Sequence, residues 1–500
     1  MELQTLLQKL KELQQKMYAY DAASSSLYLD AVTTAPSDTA EGRGLALSIL
    51  AGESHKLFSS PETDALLSAL EERENQLNRV EKRQVQLLRR QYDHLSRIPV
   101  AEYMEYTALV NEAEDLWHKA KEASDFELFR PSLERLVEFS RKFAAYYDSS
   151  KAPYDALLSE YERGMTMDKL DVFFETLRAH ISPLIREIQQ VPQIDDSFLH
   201  QYYPVEEQKK LADYLMDIMG LGRDHCALGE TEHPFTQEFT SQDVRITTHY
   251  QEDNVASSMY SVIHEGGHAL YCRGVNPDFD YTCLADGTSM GIHESQSRFY
   301  ENLIGRSLPF IQAVFPKIQE IFPQQLAGIS AEQFYKAVNK AEPSLIRTEA
   351  DELTYSLHIM VRYEIEKQLI GSTLAVQDVP QEWNRLYEEY LGVKVPDDRS
   401  GCLQDSHWSG GCFGYFPSYA LGSAYGVQML RCMEKESDIW SGVSKGDLSP
   451  VTAWLGKHVH QYGQLLEPYE IMEETCGGFD PSCYVEYLER KYRDLYSLNR

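Results

Sequence analysis

Apolar residues recur at intervals of three and four through the first two hundred positions. Leu3, Leu6, Leu7, Leu10 and Leu13 keep this spacing, as do Leu87, Leu88, Tyr92 and Leu95, and later Leu170, Phe173, Phe174, Leu177 and Ile181. A repeat near 3.6 puts such positions on one helix face, so each stretch predicts an amphipathic helix. Turn-forming residues interrupt the repeat at Thr34-Ala-Pro-Ser-Asp38, Ser59-Ser-Pro-Glu62, Lys151-Ala-Pro153 and Gln190-Val-Pro-Gln193. This half therefore reads as a helical wall. The charged run from Glu71 to Arg90 reads as an exposed helix face with intrahelical ion pairs.

The helical pattern breaks between Gly220 and Asn254. Within that break, Pro234 to Tyr250 is enriched in Thr, Val, Ile and Phe with partial alternation, which predicts a strand or hairpin. A helix around Val262–Tyr271 follows, then a loop rich in Gly, Asp and Ser up to Ile292. Helices resume to the end of the chain, interrupted by a glycine-rich segment from Ser400 to Gly422. No linker separates independent units. The expectation is one domain over 1–500, with a helical N-terminal side at about 1–220 and a second side at about 221–500.

Composition narrows the class. Hydrophobic content of 43% with 25% charged residues is that of a globular protein, and no run approaches the roughly 18 apolar residues of a membrane span. The amphipathic start lacks an apolar signal core, which reads as cytoplasmic. Eight scattered cysteines contain no C-x-x-C pair, so neither a zinc ribbon nor a compact disulfide framework is indicated. A net charge of −31 argues against nucleic acid and anionic membrane as partners.

The chemistry concentrates in His264-Glu-Gly-Gly-His268. In H-E-x-x-H the two histidines, four apart on a helix, reach one tetrahedral metal, and Glu265 addresses a water beside it. Gly266 and Gly267 each cost a helix interior about 1 kcal/mol relative to Ala, which suggests that something approaches the backbone closely there. A catalytic site needs a third protein ligand and one open position. Glu294, in His293-Glu-Ser-Gln-Ser-Arg298, is the first choice and His293 its competitor. The implied reaction is metal-assisted hydrolysis with Glu265 as general base. Donors for the developing oxyanion are offered by Gly401-Cys-Leu-Gln-Asp-Ser-His-Trp408 and Gly414-Tyr-Phe-Pro-Ser-Tyr419, which bring Gln404, His407, Tyr415 and Tyr419.

Five segments together resemble the M32 metallocarboxypeptidases of the carboxypeptidase Taq type. They are Asp243-Val-Arg-Ile-Thr247, His264-Glu-Gly-Gly-His268, His293-Glu-Ser-Gln296, Ile346-Arg-Thr-Glu-Ala-Asp351 with Tyr355 beyond it, and Gly401 to Trp408. The resemblance implies a mainly α, zincin-type fold like that of neurolysin and angiotensin-converting enzyme, with a deep central groove and a small β-sheet near the active site. It implies a homodimer that removes single residues from peptides bearing a free C-terminal carboxylate. His264, His268 and Glu294 would bind Zn2+, with Co2+ accepted, and Glu265 would be the base. Arg347 would meet the terminal carboxylate, with Arg245 a second candidate, while Asp243, Arg245 and Thr247 would line the groove. His407 and Tyr419 would stabilise the tetrahedral intermediate, Tyr415 being able to exchange with Tyr419. Two other readings stand beside this one. The same chemistry serves an oligoendopeptidase or dipeptidyl carboxypeptidase, and a non-catalytic module holding metal for structure belongs to a different class.

Overall fold

A computed structural model describes residues 2–498. Six helices, Leu3–Thr33, Ala40–Phe58, Pro61–Glu71, Arg79–Arg97, Val100–Ala123 and Phe126–Tyr147, form the N-terminal wall. Their ends follow from local chemistry. Ser60 accepts from the Thr63 amide with Pro61 in the first turn, and Asn78 with Glu81 forms a reciprocal capping box. Leu6, Leu10, Leu13, Phe58, Leu67, Leu70 and Leu88 bury together in a core of their own, while Leu170, Phe173, Phe174, Leu177 and Ile181 join the main core.

The charged run departs from expectation. Glu71 ends one helix, a 3-10 turn spans Glu74–Gln76, and a new helix begins at Arg79. Its cations reach across elements: Arg89 pairs with Asp64 and Glu71, Arg90 with Glu160, and Arg83 with Glu467. The run fastens helices to one another because Arg83, Arg89 and Arg90 lie on the side of their helix that faces neighbouring elements.

The predicted hairpin is present as β2 (Thr236–Thr240) and β3 (Asp243–Thr248), paired antiparallel. A further strand, β1 (Cys226–Glu230), pairs parallel to β3, giving the order β1-β3-β2. The sheet lies on the helix Val255–Gly274, with Val244 and Ile246 of β3 buried. That helix also packs against Met290–Arg298, which continues as a π-helical stretch, Phe299–Gly305, and which is covered on its other side by Pro417–Glu436. The glycine-rich segment therefore ends earlier than expected, and Tyr419 sits in the first turn of a helix.

Both glycines of His264-Glu-Gly-Gly-His268 acquire a reason. A Cβ on Gly267 would stand 2.7 Å from Gln296 O and Ser297 Cα, and one on Gly266 would stand 2.7 Å from the Met219 thioether. All eight cysteines are free. Among the described residues, no helix is long and apolar enough to cross a membrane.

Candidate active site

The helix Val255–Gly274 presents His264 and His268 one turn apart on the face toward Met290–Arg298, and that second helix presents Glu294. The ligating atoms of these three side chains lie within 4.8 Å of one another. His264 Nε2 and His268 Nε2 stand 3.7 and 3.6 Å from Glu294 Oε2. Donors bound at 2.0–2.1 Å to a tetrahedral ion are roughly 3.3 Å apart, so shifts of a few tenths of an ångström let all three hold one cation.

The remaining ring nitrogens are occupied. His264 Nδ1 lies 2.8 Å from Glu301 Oε2, and His268 Nδ1 lies 2.6 Å from His293 Nδ1. These contacts turn both Nε2 atoms toward Glu294. His293 thus stands behind His268, with its Nε2 near Cys272 Sγ, and does not enter the three-residue group.

Glu265 is buried, and its Oε2 accepts from Thr236 Oγ1 at 2.6 Å. Burial raises its pKa against the lowering by His264 and by the Thr236 hydroxyl. Thr236 belongs to β2, an edge of the sheet, so the strand that flanks the groove also fixes this carboxylate. Next to it opens a chamber of about 880 Å³, lined by Tyr18, Arg90, Glu238, Tyr281 and His293 among others.

A second cluster gathers around Asp405. Arg347 donates through Nε and Nη2 to Asp405 Oδ1 at 3.0 and 2.8 Å, and through Nη1 to the Tyr355 hydroxyl at 3.1 Å. Arg362 donates to the other oxygen, Oδ2, at 2.6 Å. Burial works against the charged form of Asp405, yet Arg362 and Arg347 hold its pKa well below the usual carboxylate range. Two buried guanidiniums thus share one carboxylate, leaving a local excess of positive charge. The Arg347 guanidinium lies 4.9 Å from the Tyr419 ring centre, and the Tyr419 hydroxyl meets His407 Nε2 at 3.3 Å. Burial lowers the His407 pKa to about 4, so the ring is neutral at pH 7. Tyr415 packs against both His407 and Tyr419, and burial pushes its hydroxyl up to about 12.

Thr247, Gln404 and Asp243 each bond within the protein. Thr247 is 1% exposed, and its hydroxyl takes bonds from Thr231 Oγ1 and the Phe235 amide, so it clamps the turn before β2 and does not face the groove. Gln404 accepts from the Arg347 amide and donates to Leu345 O and Ser400 O, bracing the loop beneath Arg347. Asp243 takes Arg245 in a two-point pair on β3, with the guanidinium over Phe239.

Several partners escape sequence reading. Thr236 lay inside the predicted strand without a role. Glu301 and Arg298 carry the ordinary spacing of a helical ion pair. Glu366, which accepts from Trp408 Nε1, the Gly414 amide and the Tyr154 hydroxyl, had no local signal at all.

Comparison with known proteins identifies the family. The family model described as carboxypeptidase Taq (M32) metallopeptidase matches residues 9–492. Carboxypeptidase 1 of Bacillus subtilis (strain 168) is 39% identical, with all of both chains covered. The crystal structure of an M32 carboxypeptidase from Deinococcus radiodurans R1 superposes with a TM-score of 0.96 at 34% identity, covering 99% of this chain and 100% of that one. Metallocarboxypeptidase 1 of Trypanosoma cruzi gives 0.94 at 32% identity, with 98% and 100% covered.

Proposed function

The chain belongs to the carboxypeptidase Taq (M32) metallopeptidase family and is a metallocarboxypeptidase, and from that premise we propose a zinc enzyme that releases single residues from the free C-terminus of peptides with broad specificity. The observation that carries the proposal is the pairing of two buried guanidiniums with the single carboxylate of Asp405, beside His407 and Tyr419. An exopeptidase must distinguish a terminal carboxylate from a continuing chain, and buried guanidinium donors do so by charge and geometry.

His264, His268 and Glu294 hold the metal, and their mixed nitrogen and oxygen donors suit Zn2+, with Co2+ as a substitute. Bound there, the ion supplies Lewis acidity and lowers the pKa of water. Glu265, held by Thr236, takes the proton of the attacking water and delivers it to the departing amine. His407 and Tyr419 donate to the oxygen that becomes negative, with Tyr415 packed behind them. Arg347 receives the terminal carboxylate, and Arg245 with Asp243 lies along the peptide's path. The same reading carries a single catalytic domain over 1–500, a homodimer and a cytoplasmic location.

The test is mass spectrometry of peptide pairs with free-acid and amidated C-termini, with and without chelator. Stepwise loss of single residues from the free acids alone, stopped by chelator, is expected. Internal cleavage or release of dipeptides overturns the exopeptidase reading.

A further inference from the structure

Three charged side chains run along one face of the segment Met290–Gly305, namely Glu294, Arg298 and Glu301, at positions i, i+4 and i+7. All three are largely buried. Arg298 Nε donates to Glu294 Oε1 at 2.7 Å, and Arg298 Nη1 donates to Glu301 Oε2 at 3.1 Å. That same Glu301 oxygen lies 2.8 Å from His264 Nδ1, and Arg306 approaches the other Glu301 oxygen at 3.4 Å.

The two oxygens of Glu294 are therefore not equivalent. Oε1 belongs to Arg298, whereas Oε2 faces both histidines and, among the described residues, accepts the Ser297 hydroxyl alone, at 3.1 Å. Glu301 fixes the tautomer and tilt of His264 as an acceptor for its Nδ1–H. We propose that Arg298 and Glu301 form a single positioning clamp for the metal ligands, in which Glu301 orients His264 and Arg298 restricts Glu294 to coordination through Oε2 alone. Both are positioning residues, acting through His264 and Glu294. The inference rests on the metal reading of His264, His268 and Glu294.

The geometry gives the clamp its logic. Glu294 bound through both oxygens would occupy the open position a hydrolase keeps for water, and Arg298 prevents this by engaging Oε1. Arg298 also stands between two buried carboxylates, neutralising repulsion that would otherwise drive them apart. Glu301 lies in the π-helical stretch Phe299–Gly305, a backbone irregularity that is frequent at functional sites. The cation is held in turn from behind, 4.3 Å above the Tyr355 ring, and the Tyr355 hydroxyl meets Arg347. A continuous contact path thus joins the metal ligands to the Asp405 cluster.

The experiment measures Co2+ affinity by competition with a chromophoric chelator, and the visible Co2+ spectrum, in the full-length wild type and in Glu301→Gln, Glu301→Asp, Arg298→Met and Arg298→Lys. Partners outside the ligand shell typically contribute 10–100-fold in metal affinity. Glu301→Gln is expected to weaken Co2+ binding by about 10–100-fold, with Glu301→Asp intermediate because it keeps the charge. Arg298→Met is expected to lower the intensity of the Co2+ bands as Glu294 becomes bidentate and the coordination number rises, and Arg298→Lys to restore part of it. Unchanged affinity in both Glu301 variants, or an unchanged spectrum in Arg298→Met, overturns the clamp while leaving the metal site intact. Failure of the wild type to bind Co2+ overturns the metal reading together with the clamp. If the network serves stability alone, the variants lower the unfolding midpoint of the apo protein while keeping the wild-type Co2+ affinity and spectrum, and that result also overturns the clamp.

Discussion

Replacing the two adjacent glycines of the pentapeptide one at a time separates side-chain from backbone contact. Either Gly→Ala change gains about 1 kcal/mol of helix propensity. In Gly266→Ala the new methyl meets Met219 Sδ and Cε at 2.7 Å and Leu221 Cδ1 at 3.1 Å, the ends of flexible side chains that swing away. Gain and repacking nearly cancel, so stability is expected within about 1 kcal/mol of wild type. In Gly267→Ala the methyl meets Gln296 O and Ser297 Cα at 2.7 Å, where apolar contact requires about 3.5 Å. Backbone must then retreat by roughly 0.8 Å, a strain in the range of about 1–3 kcal/mol.

The retreating backbone belongs to Met290–Arg298, two residues beyond Glu294, so the strain reaches a candidate metal ligand. A displacement near 1 Å at a catalytic group costs about 100-fold in rate. Gly267→Ala is therefore expected to bind metal more weakly and to lose about 10–100-fold in kcat/KM, with Gly266→Ala close to wild type. Urea unfolding of the apo protein, chelator competition and peptide hydrolysis together provide the comparison. Equal stability and equal kcat/KM in the two variants would refute the argument that backbone approach beneath Gly267 sets the ligand geometry.

Further expectations concern the groups around the site. Thr236→Val removes the hydroxyl donated to Glu265 and is expected to lower kcat by about 10–100-fold with metal affinity unchanged, since a bond to a charged group contributes about 1.5–3 kcal/mol; Thr236→Ser should retain activity, and equal rates in all three proteins would remove Thr236 from the machinery. Arg347→Lys is expected to reduce kcat/KM on free-acid peptides by about 10–100-fold, because a single ammonium cannot reproduce the guanidinium fork; an unchanged value measured on the same peptides excludes Arg347 as the carboxylate partner. Glu366 is raised from 4.5 to about 7 by burial, so below pH 4.5 it is protonated in both folded and unfolded chains, and as pH rises through 7 the stability its neutral form contributes is lost. The loss is on the order of 3 kcal/mol, and pH-dependent urea unfolding should show a shallower decline between pH 5 and 8 in Glu366→Gln than in wild type; parallel curves would contradict this.

The legible and hidden parts of the molecule divide by range of interaction. His264, Glu265 and His268 declare themselves because their chemistry demands a fixed local spacing, and Glu294 because its helix follows the same loop. The hairpin of β2 and β3 shows in its β-branched alternation. β1 does not, since Cys226-Ala-Leu-Gly-Glu230 has no alternation and is made a strand by pairing with β3. The run from Glu71 to Arg90 misled because its charges are spaced as intrahelical pairs would be, whereas partners such as Glu160 of Arg90 lie far away in sequence and only the fold brings them together. Thr247 shares a strand face with Asp243 and Arg245, but the Thr231–Phe235 turn covers that end of β3 and takes its hydroxyl. Glu301 and Thr236 were hidden because the partners of His264 and Glu265 are defined by distance in space.

The net charge raises a problem that the site's local structure answers. A peptide carrying a terminal carboxylate approaches a chain of net charge −31, and the long-range term is repulsive. At physiological ionic strength that term fades beyond about 8 Å, so most surface acids are not felt inside the groove. Arg347 and Arg362 are buried against one aspartate, where charge is screened far less than at the surface. Their uncompensated unit of positive charge therefore outweighs many distant acids for an anion that has already entered. Neutral His407 adds no further repulsion between cations, because burial and the same two guanidiniums keep it deprotonated at pH 7. An acidic exterior is thus compatible with an anion-seeking interior. Raising ionic strength should relieve repulsion at entry while leaving the buried cluster intact, so KM for acidic peptides is expected to fall as salt rises from low values, and a KM that climbs instead would mean that surface cations, not the Asp405 cluster, attract the substrate.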